Sequence, residues 1–415
     1  MLLALLLAAE LSKAIPLGPV PAAASGAAGS IDPVAATRAY LDTLPSDKRE
    51  RSNAYFEGGY WLHLWSFLWS AGVLLLLLYS GLSARMRDRA GRAGRFSSAV
   101  YWLQFLVATA LLELPLSIYR DWYREHQYGL SNLTFAAWLG EEGKGLLISA
   151  VFGSLAVMAL YAVVRRLPRT WWIWGTVVAI AFLIFGVLIG PVVISPIFNN
   201  PRRLEDQRVV APILSLARAS GIKAGEVWEI DASKQTTRVS ANVSGFLGTE
   251  RITLNDNLLN RCSLPEIEAV MGHEMGHYVL GHIPLLIVQF GVVIAIGFGL
   301  VSYLFDRFRM RWSIRDVGDL AGLPLALLLF SAYLFVLTPV LNSIIRAQEN
   351  SADVFGVNAA RQPDGFAQVT LKLSEYRKLE PGPLEEIVFY DHPSGRTRIM
   401  TAMRWKAEHP ETWSH

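Results

Sequence analysis

The stretch "IPLLIVQFGVVIAIGFGLVSYLF" occupies residues 283–305 and carries no charged side chain, so it is apolar enough and long enough to cross a membrane as one helix. Five further apolar blocks of similar length lie at residues 60–82, 96–118, 145–164, 171–197 and 320–341. Each reaches the ~17–25 residues that a spanning helix needs, and Trp and Tyr crowd several of the block ends, as interfacial anchors do. The pattern predicts a mainly α, polytopic membrane protein with six clear spans.

The composition favours this fold over the alternative, which is a large soluble core of six buried helices. Hydrophobic residues make up 52% of the 415-residue chain and charged residues only 18%. The net charge of +3 is too small to indicate nucleic-acid binding, and no basic stripe with interleaved aromatic residues appears. Cys262 is the single cysteine of the sequence, which excludes an internal disulfide and a cysteine-based metal site.

The regions outside the blocks complete the predicted organisation. Residues 1–14 fit either a signal peptide or a truncated span, which would be a seventh, and a polar extramembrane helix is expected over 31–58. Between the fourth and fifth spans lies a soluble insert, and a polar, mostly helical tail follows the sixth. We therefore divide the chain at residues 1–58, 59–198 (four spans), 199–282 (soluble insert), 283–343 (two spans) and 344–415 (tail).

The soluble insert is expected to be a small α+β catalytic unit. "EVWEID" (226–231) and "RITL" (251–254) alternate as strands do, and "TTRVSANVSGFLGTE" between them fits a strand and a turn. A helix is predicted to follow, because Ser263 and Glu266 have capping-box spacing and Pro265 suits a first helical turn.

Arginine-rich loops indicate which way the chain is oriented in the membrane. They follow the first, third and fifth blocks, and their arginines are Arg85, Arg87, Arg89, Arg92, Arg95, Arg165, Arg166, Arg169, Arg307, Arg309, Arg311 and Arg315. Alternating spans place all three loops on one side, and the positive-inside rule makes that side cytoplasmic. The insert and the tail are then expected to face outward, to the periplasm of a bacterial inner membrane.

Within the helix predicted after Ser263, the sequence "MGHEMGHYVLGH" (271–282) contains an HExxH motif. His273 and His277 are four residues apart and share one helical face, so both imidazoles can bind one Zn²⁺ beside Glu274 as general base. His282 lies beyond this pair at the helix end and is expected to be structural or interfacial.

A third zinc ligand is predicted in "RAQENSAD" (346–353), at the end of the sixth span. A catalytic zinc takes three protein ligands and keeps one position open, and Glu349 completes the set. Asp353, one helical turn later, is expected to hydrogen-bond a ligand imidazole. The rival ligand Asp364 is disfavoured because it lies in the polar tail. Without the HExxH motif, solvated charges would be the preferred interpretation of Glu349 and Asp353.

Taken in order, several stretches resemble the type-1 CAAX prenyl proteases and their bacterial relatives, which are membrane-embedded zinc metallopeptidases. The stretches are "YREHQYGLSNLT" (123–134), "SPIFNNPRRLED" (195–206), "SKQTTRVSANVSGF" (233–246), "RITLNDNLL" (251–259), "VMGHEMGHYVLGH" (270–282), "RAQENSAD" (346–353) and "HPSGRTRI" (392–399). The resemblance covers residues 97–405. This chain departs from the family in one motif, because "RVSAN" replaces the usual "SHSN" around Asn242.

The resemblance implies a role for each matching residue. His273, His277 and Glu349 are similar to the family's zinc ligands, Glu274 to its catalytic glutamate, and Asp353 to an aspartate described as a proton donor. Further matches are Asn242, to an asparagine that binds substrate backbone, and His392 and Arg398, to a histidine and arginine that face the substrate carbonyl. The family's helices enclose a water-filled chamber. Its eukaryotic members have seven spans and a site that faces the cytosol, whereas this chain shows six clear spans and a site expected to face outward. Removal of residues 1–14 as a signal peptide would account for both differences.

The sequence therefore predicts a membrane zinc metalloendopeptidase with one Zn²⁺ per chain. Its substrates are expected to be peptides or proteins, with membrane and exported proteins preferred over prenylated ones, and its surroundings the lipid bilayer. The alternative is a non-catalytic membrane chamber with structural zinc, for transport or lipid handling. Glu274 favours the enzyme, because a closed structural site needs no acid beside its ligands. Nothing in the sequence indicates an oligomeric state.

Overall fold

The computed structural model describes residues 16–25, 31–245 and 250–410, and within them it is mainly helical. The predicted signal peptide or span at residues 1–14 lies outside the described residues. The α-helices are Pro33–Asp42 (α1), Ser46–Tyr79 (α2), Leu82–Ala90 (α3), Ser97–Ser117 (α4), Arg124–Gln127 (α5), Phe135–Arg166 (α6), Trp171–Ile189 (α7), Ser195–Phe198 (α8), Gln207–Ala219 (α9), Asp256–Arg261 (α10), Leu264–Val279 (α11), His282–Arg309 (α12), Leu323–Ala360 (α13), Pro363–Leu373 (α14), Pro383–Phe389 (α15) and Gly395–Glu408 (α16). The strands are Arg202–Arg203 (β1), Val227–Ile230 (β2), Ala241–Ser244 (β3) and Arg251–Asn255 (β4).

The prediction of six spans is confirmed. Six helical stretches are long and apolar enough to cross a membrane, namely Ser46–Tyr79, Leu82–Gln127, Phe135–Arg166, Trp171–Phe198, His282–Arg309 and Leu320–Ala360. Two of them contain a π-helical turn, at Ile118–Tyr123 and Gly190–Ile194.

The first and the last span extend into segments that the sequence analysis assigned to regions outside the spans. Helix α2 already begins at Ser46, inside the segment expected to be a separate extramembrane helix, because no proline interrupts it before Tyr79. Helix α13 runs on to Ala360, so the tail predicted from residue 344 begins as a continuation of the last span. Polar residues end an apolar block without ending its helix, so hydropathy alone does not locate the helix ends at Ser46 and Ala360.

The described residues form two compact units, each with its own core. The span unit consists of Gly58–Phe198 and Ile283–Val340. The insert unit combines the described parts of residues 1–57, 199–282 and 341–415. The soluble insert thus folds together with the tail and the segment before the first span, three regions that are far apart in sequence.

Contacts within the span unit bring the arginine-rich loops together. Arg87, after the first span, donates to the Asp319 carboxylate at 2.7 Å and to the Ser313 carbonyl at 3.0 Å. Arg165, after the third span, donates to the Gly318 carbonyl at 3.2 Å. The loops after the first, third and fifth spans therefore lie at the same end of this unit, as alternating spans require.

A small mixed sheet forms the β part of the insert unit. Its strand order is β1-β2-β4-β3, with β2 and β4 parallel and the other two pairs antiparallel. The strands expected at 226–231 and 251–254 are thereby confirmed. One face is apolar and packs with helices α9, α10 and α11 in a core of Val210, Ile213, Val227, Val243, Ile252, Leu254, Leu258, Ile267, Met271 and Met275. Strand β3 is at an edge of the sheet.

Helices α11 and α13 pack closely through small residues. A Cβ on Gly272 would lie 2.7 Å from the Gly356 carbonyl oxygen, and one on Gly356 would lie 2.7 Å from the His273 amide nitrogen. One turn along, a Cβ on Gly276 would lie 3.1 Å from the Ala352 Cα atom. Both helix backbones thus approach to distances that only glycine permits at positions 272 and 356.

We expect Gly272→Ala to destabilise the protein by about 1–3 kcal/mol, because the added methyl group meets backbone that a rotamer change cannot move. Thermal unfolding of the detergent-purified protein measures the effect. Gly72→Ala is the matched control, since a Cβ at this glycine of α2 meets no atom within 4 Å. An unchanged melting temperature in Gly272→Ala would contradict the close packing.

Candidate metal centre

Helix α11 carries the HExxH motif, and its start is fixed by local hydrogen bonds. The predicted capping box is confirmed: the Glu266 carboxylate accepts from the Ser263 amide at 2.6 Å and from its hydroxyl at 2.8 Å. Pro265 lies in the first turn, where a missing N–H costs little. The helix therefore reaches His273 and His277 with regular geometry, one turn apart.

His273, His277 and Glu349 come together in the structure. Each offers one ligand atom, and these atoms lie within 4.8 Å of one another. The Nε2 atoms of His273 and His277 are 3.1 Å apart. The Glu349 carboxylate places Oε2 3.2 Å from His273 Nε2 and Oε1 3.4 Å from His277 Nε2. Among the described residues, this is the one His, Cys, Asp or Glu group that converges in this way.

The donor set fits a zinc ion. Glu349 is 8% exposed, and its buried Oε2 makes no hydrogen bond although two imidazoles lie beside it. Two imidazole nitrogens and a carboxylate oxygen that point at one another are an arrangement that a cation satisfies. Two His and one Glu are also the protein ligands of one class of catalytic zinc site.

Each imidazole has a partner at its other nitrogen. His273 Nδ1 lies 2.8 Å from Asp353 Oδ1, and because an ionised carboxylate only accepts, Nδ1 carries the proton and Nε2 keeps its lone pair. His277 Nδ1 lies 2.9 Å from His282 Nδ1. His282, which the sequence assigned a structural or interfacial role, therefore contacts a metal-site imidazole.

Arg398 lies behind Asp353. The Asp353 side chain, 1% exposed, accepts at Oδ2 from Arg398 Nε at 2.9 Å and at Oδ1 from Nη2 at 2.5 Å. Arg398 Nη1 makes no hydrogen bond to a described residue. The arrangement is a chain of contacts from guanidinium to carboxylate to imidazole.

Glu274 is half-buried and lines a cavity of about 180 Å³ that we call the active-site cavity. The cavity is lined by Val239, Ser240, Ala241, Val270, His273, Glu274, Phe366, Val369, Leu373, Tyr376, Arg377, His392 and Arg398. The Glu274 carboxylate makes no hydrogen bond to a described residue. Burial raises the pKa of Glu274 above its usual value, which makes the carboxylate a stronger base than an exposed glutamate.

The remaining residues singled out in the sequence lie at different distances from the group of His273, His277 and Glu349. His392 lines the cavity, with Nε2 3.3 Å from Glu349 Oε2 and Nδ1 2.8 Å from Asp391 Oδ1. Asn242 is exposed on β3 opposite Thr253 and does not line the cavity, whereas Ala241, its neighbour, does. Asp364 is outside the metal group, because it binds Tyr40 at 2.7 Å and Lys406 at 2.5 Å.

Tyr376 and Arg377 line the cavity but were not predicted from the sequence. They lie in the polar tail, in the segment between α14 and α15, and no motif or periodicity marks them. Only the folding of the tail onto the insert brings them beside Glu274.

Comparisons with known proteins agree with this geometry. Residues 203–406 match the model of peptidase family M48, and residues 35–200 match the model described as CAAX prenyl protease N-terminal, five membrane helices. The structure describes four of its six spans between residues 35 and 200.

Individual relatives cover most of the chain. "Uncharacterized metalloprotease YhfN" of Bacillus subtilis is 32% identical over 355 residues, which are 81% of this chain and 82% of the relative. "CAAX prenyl protease 1 homolog" of Dictyostelium discoideum is 28% identical over 328 residues, 75% of each chain. The crystal structure of S. mikatae Ste24p has the same fold, with a TM-score of 0.74 and 21% identity over 87% of this chain and 90% of that one.

With an HExxH helix, a converging third carboxylate, six spans and family models matched on both sides of residue 200, the chain belongs to peptidase family M48 and is a membrane metallopeptidase.

Proposed function

We propose that this chain is a zinc endopeptidase whose metal is held by His273, His277 and Glu349, one ion per chain. The observation that carries the proposal is the convergence of these three donors within 4.8 Å beside a cavity that Glu274 lines. A bound zinc supplies a water whose pKa is lowered toward ~7 and polarises the peptide carbonyl.

Glu274 acts as the general base in this proposal. Its carboxylate accepts a proton from the attacking water and passes it to the leaving amine. Its lack of a hydrogen-bond partner among the described residues leaves the carboxylate oxygens available for this transfer.

Asp353 and Arg398 support the metal ligands in this proposal. Asp353 holds the proton of His273 on Nδ1, and Arg398 fixes the Asp353 carboxylate with two nitrogens. Two residues were expected to face the substrate carbonyl. His392 lies in the cavity 3.3 Å from Glu349, whereas Arg398 has only Nη1 without a hydrogen bond to a described residue. We therefore assign stabilisation of the oxyanion to His392 first and to Arg398 second.

The peptide backbone is proposed to bind along strand β3. This strand is at the edge of the sheet, and residues 239–241 line the active-site cavity. An extended substrate can pair with such an edge by β-augmentation, with the exposed Asn242 amide binding its backbone. We propose that the scissile bond then lies beside Glu274, which lines the same cavity.

The site is proposed to face the periplasm of a bacterial inner membrane. The three arginine-rich loops lie at one end of the span unit, and the positive-inside rule assigns that end to the cytoplasm. The insert follows the fourth span and precedes the fifth, so it joins both spans at the ends opposite the arginine-rich loops. Several relatives are named CAAX prenyl proteases, but an outward-facing site does not meet cytosolic prenylated proteins, so membrane and exported proteins are the proposed substrates.

The non-catalytic chamber with structural zinc is disfavoured by Glu274. A structural site is closed, whereas here a carboxylate and a cavity lie directly beside the donor set.

We expect Glu274→Gln to retain stoichiometric zinc and to lower the rate of peptide cleavage by about 10²–10⁴-fold, because the amide cannot accept the proton. Turnover of a quenched-fluorescent peptide and metal analysis measure the two effects. Glu268→Gln is the matched control, since Glu268 is on the same helix and binds Gln362 instead. Undiminished hydrolysis by Glu274→Gln would refute the assignment of the base.

We expect Glu349→Ala to lose stoichiometric zinc, because two imidazoles alone leave the ion without its charged ligand. Metal content of the purified protein after dialysis measures this loss. Glu408→Ala, which removes an exposed carboxylate from α16, should keep its zinc. Full metal content in Glu349→Ala would remove Glu349 from the ligand set.

We expect a reporter fused after Arg315 to be active only in the cytoplasm and one fused after Arg361 only outside it. Green fluorescent protein and alkaline phosphatase fusions at both positions report the two sides. Activity of the Arg315 fusion outside the cell would overturn the proposed orientation.

A further inference from the structure

The active-site cavity contains an arginine that the proposed mechanism does not use. Arg377 lies between α14 and α15 and lines both the active-site cavity and a smaller adjoining cavity of about 30 Å³. Leu373, His392 and Arg398 also line both. Arg377 therefore borders both spaces, as does the proposed oxyanion group His392.

The other cations that line these two cavities have carboxylate partners. Arg398 binds Asp353, and the Lys378 ammonium lies 2.7 Å from the Glu57 carboxylate and 2.8 Å from that of Glu385. The Arg377 guanidinium makes no hydrogen bond or ion pair with a described residue, and its one aromatic contact is the Tyr376 ring, 5.9 Å away. Arg377 thus contributes an unneutralised positive charge to the cavity.

The surroundings of this charge favour an anionic ligand. Burial lowers the pKa of Arg377, and the positive charge of Arg398 lowers it further. Tyr376, Asp391 and Glu349 oppose this effect. The Asp391 carboxylate already contacts His392 Nδ1 at 2.8 Å, and the Glu349 carboxylate faces the imidazoles of His273, His277 and His392. Arg377 is half-buried at the cavity, and a guanidinium matches a carboxylate with two parallel hydrogen bonds.

We propose that Arg377 binds a carboxylate of the peptide substrate and so determines which peptides are cut. The carboxylate belongs to an Asp or Glu side chain or to the chain end, and in both cases it lies at a fixed distance from the scissile bond. Arg377 is then a specificity-determining residue. This inference rests on the proposed function of the site, because it needs a peptide in the active-site cavity.

The test uses the full-length, zinc-loaded protein in detergent and a peptide library made by digesting a soluble proteome. The library is presented in native form and with every carboxyl group converted to its methylamide, and cleavage sites are read by mass spectrometry. The variants are Arg377→Met, Arg377→Lys and the matched control Arg396→Met, which removes an exposed arginine that does not line the active-site cavity.

We expect wild type and Arg396→Met to cut native peptides with a carboxylate at one fixed position, and to cut the methylamide library poorly. The position of the enriched carboxylate distinguishes a side chain from a chain end. For the best peptide, Arg377→Met should raise KM by about tenfold or more with a smaller change in kcat, because a charge-assisted hydrogen bond is lost. Its cleavage of the methylamide form should match wild type, and Arg377→Lys should show a weaker preference.

Two results would overturn the proposal: a wild type that cuts both libraries at the same sites, or a carboxylate preference that survives in Arg377→Met. Zinc content and melting temperature show whether Arg377→Met is folded. If it is not, Arg377→Lys decides, and a preference equal to that of wild type contradicts the role of Arg377. Cleavage by wild type that does not exceed that of Glu274→Gln would instead contradict the proposed function itself.

Discussion

The close contact between helices α11 and α13 is the constraint on which the site depends. Gly272 and Gly356 let the two backbones meet at a distance that any side chain would prevent, and Gly276 continues the contact one turn along. This approach brings the His273 and His277 imidazoles, on one helix, within reach of the Glu349 carboxylate on the other. Bulkier residues at this seam would separate the ligands even if all three were present.

A second layer of side chains holds the three proposed ligands in place through hydrogen bonds. A neutral imidazole presents Nε2 to a metal only if its proton is held on Nδ1, and Asp353 provides that acceptor for His273. Arg398 comes from the tail helix α16 and neutralises Asp353, which would otherwise be a buried carboxylate with a single partner. Residues from the insert, the last span and the tail therefore form one connected polar network.

The sequence predicted the secondary-structure elements better than it predicted the tertiary contacts between them. Apolar blocks indicated the six spans, alternation indicated the strands at 226–231 and 251–254, and capping-box spacing indicated the start of α11, because each signal is local. The helix ends at Ser46 and Ala360 were missed because hydropathy marks only the apolar part of a helix and not its polar ends.

The residues of the site also differ in whether a local sequence pattern predicts them. HExxH spacing brings His273, Glu274 and His277 to one helical turn, so the sequence names them directly. Glu349 could be predicted only from a matching family motif or from the fold, since 71 residues of chain lie between it and His277. Arg377 has no local signal at all: it becomes visible only as an unpaired charge in a cavity, which is a property of three dimensions.

Helix α13 carries both the Glu349 carboxylate and the glycine that contacts helix α11. Glu349 and Gly356 lie about two helical turns apart on it, so the contact at Gly356 sets the direction in which the carboxylate points. Deleting one residue between them would turn the carboxylate by about 100° about the helix axis. Substitutions between these two positions keep this angular relation, whereas a change in length would turn the carboxylate away from the two imidazoles.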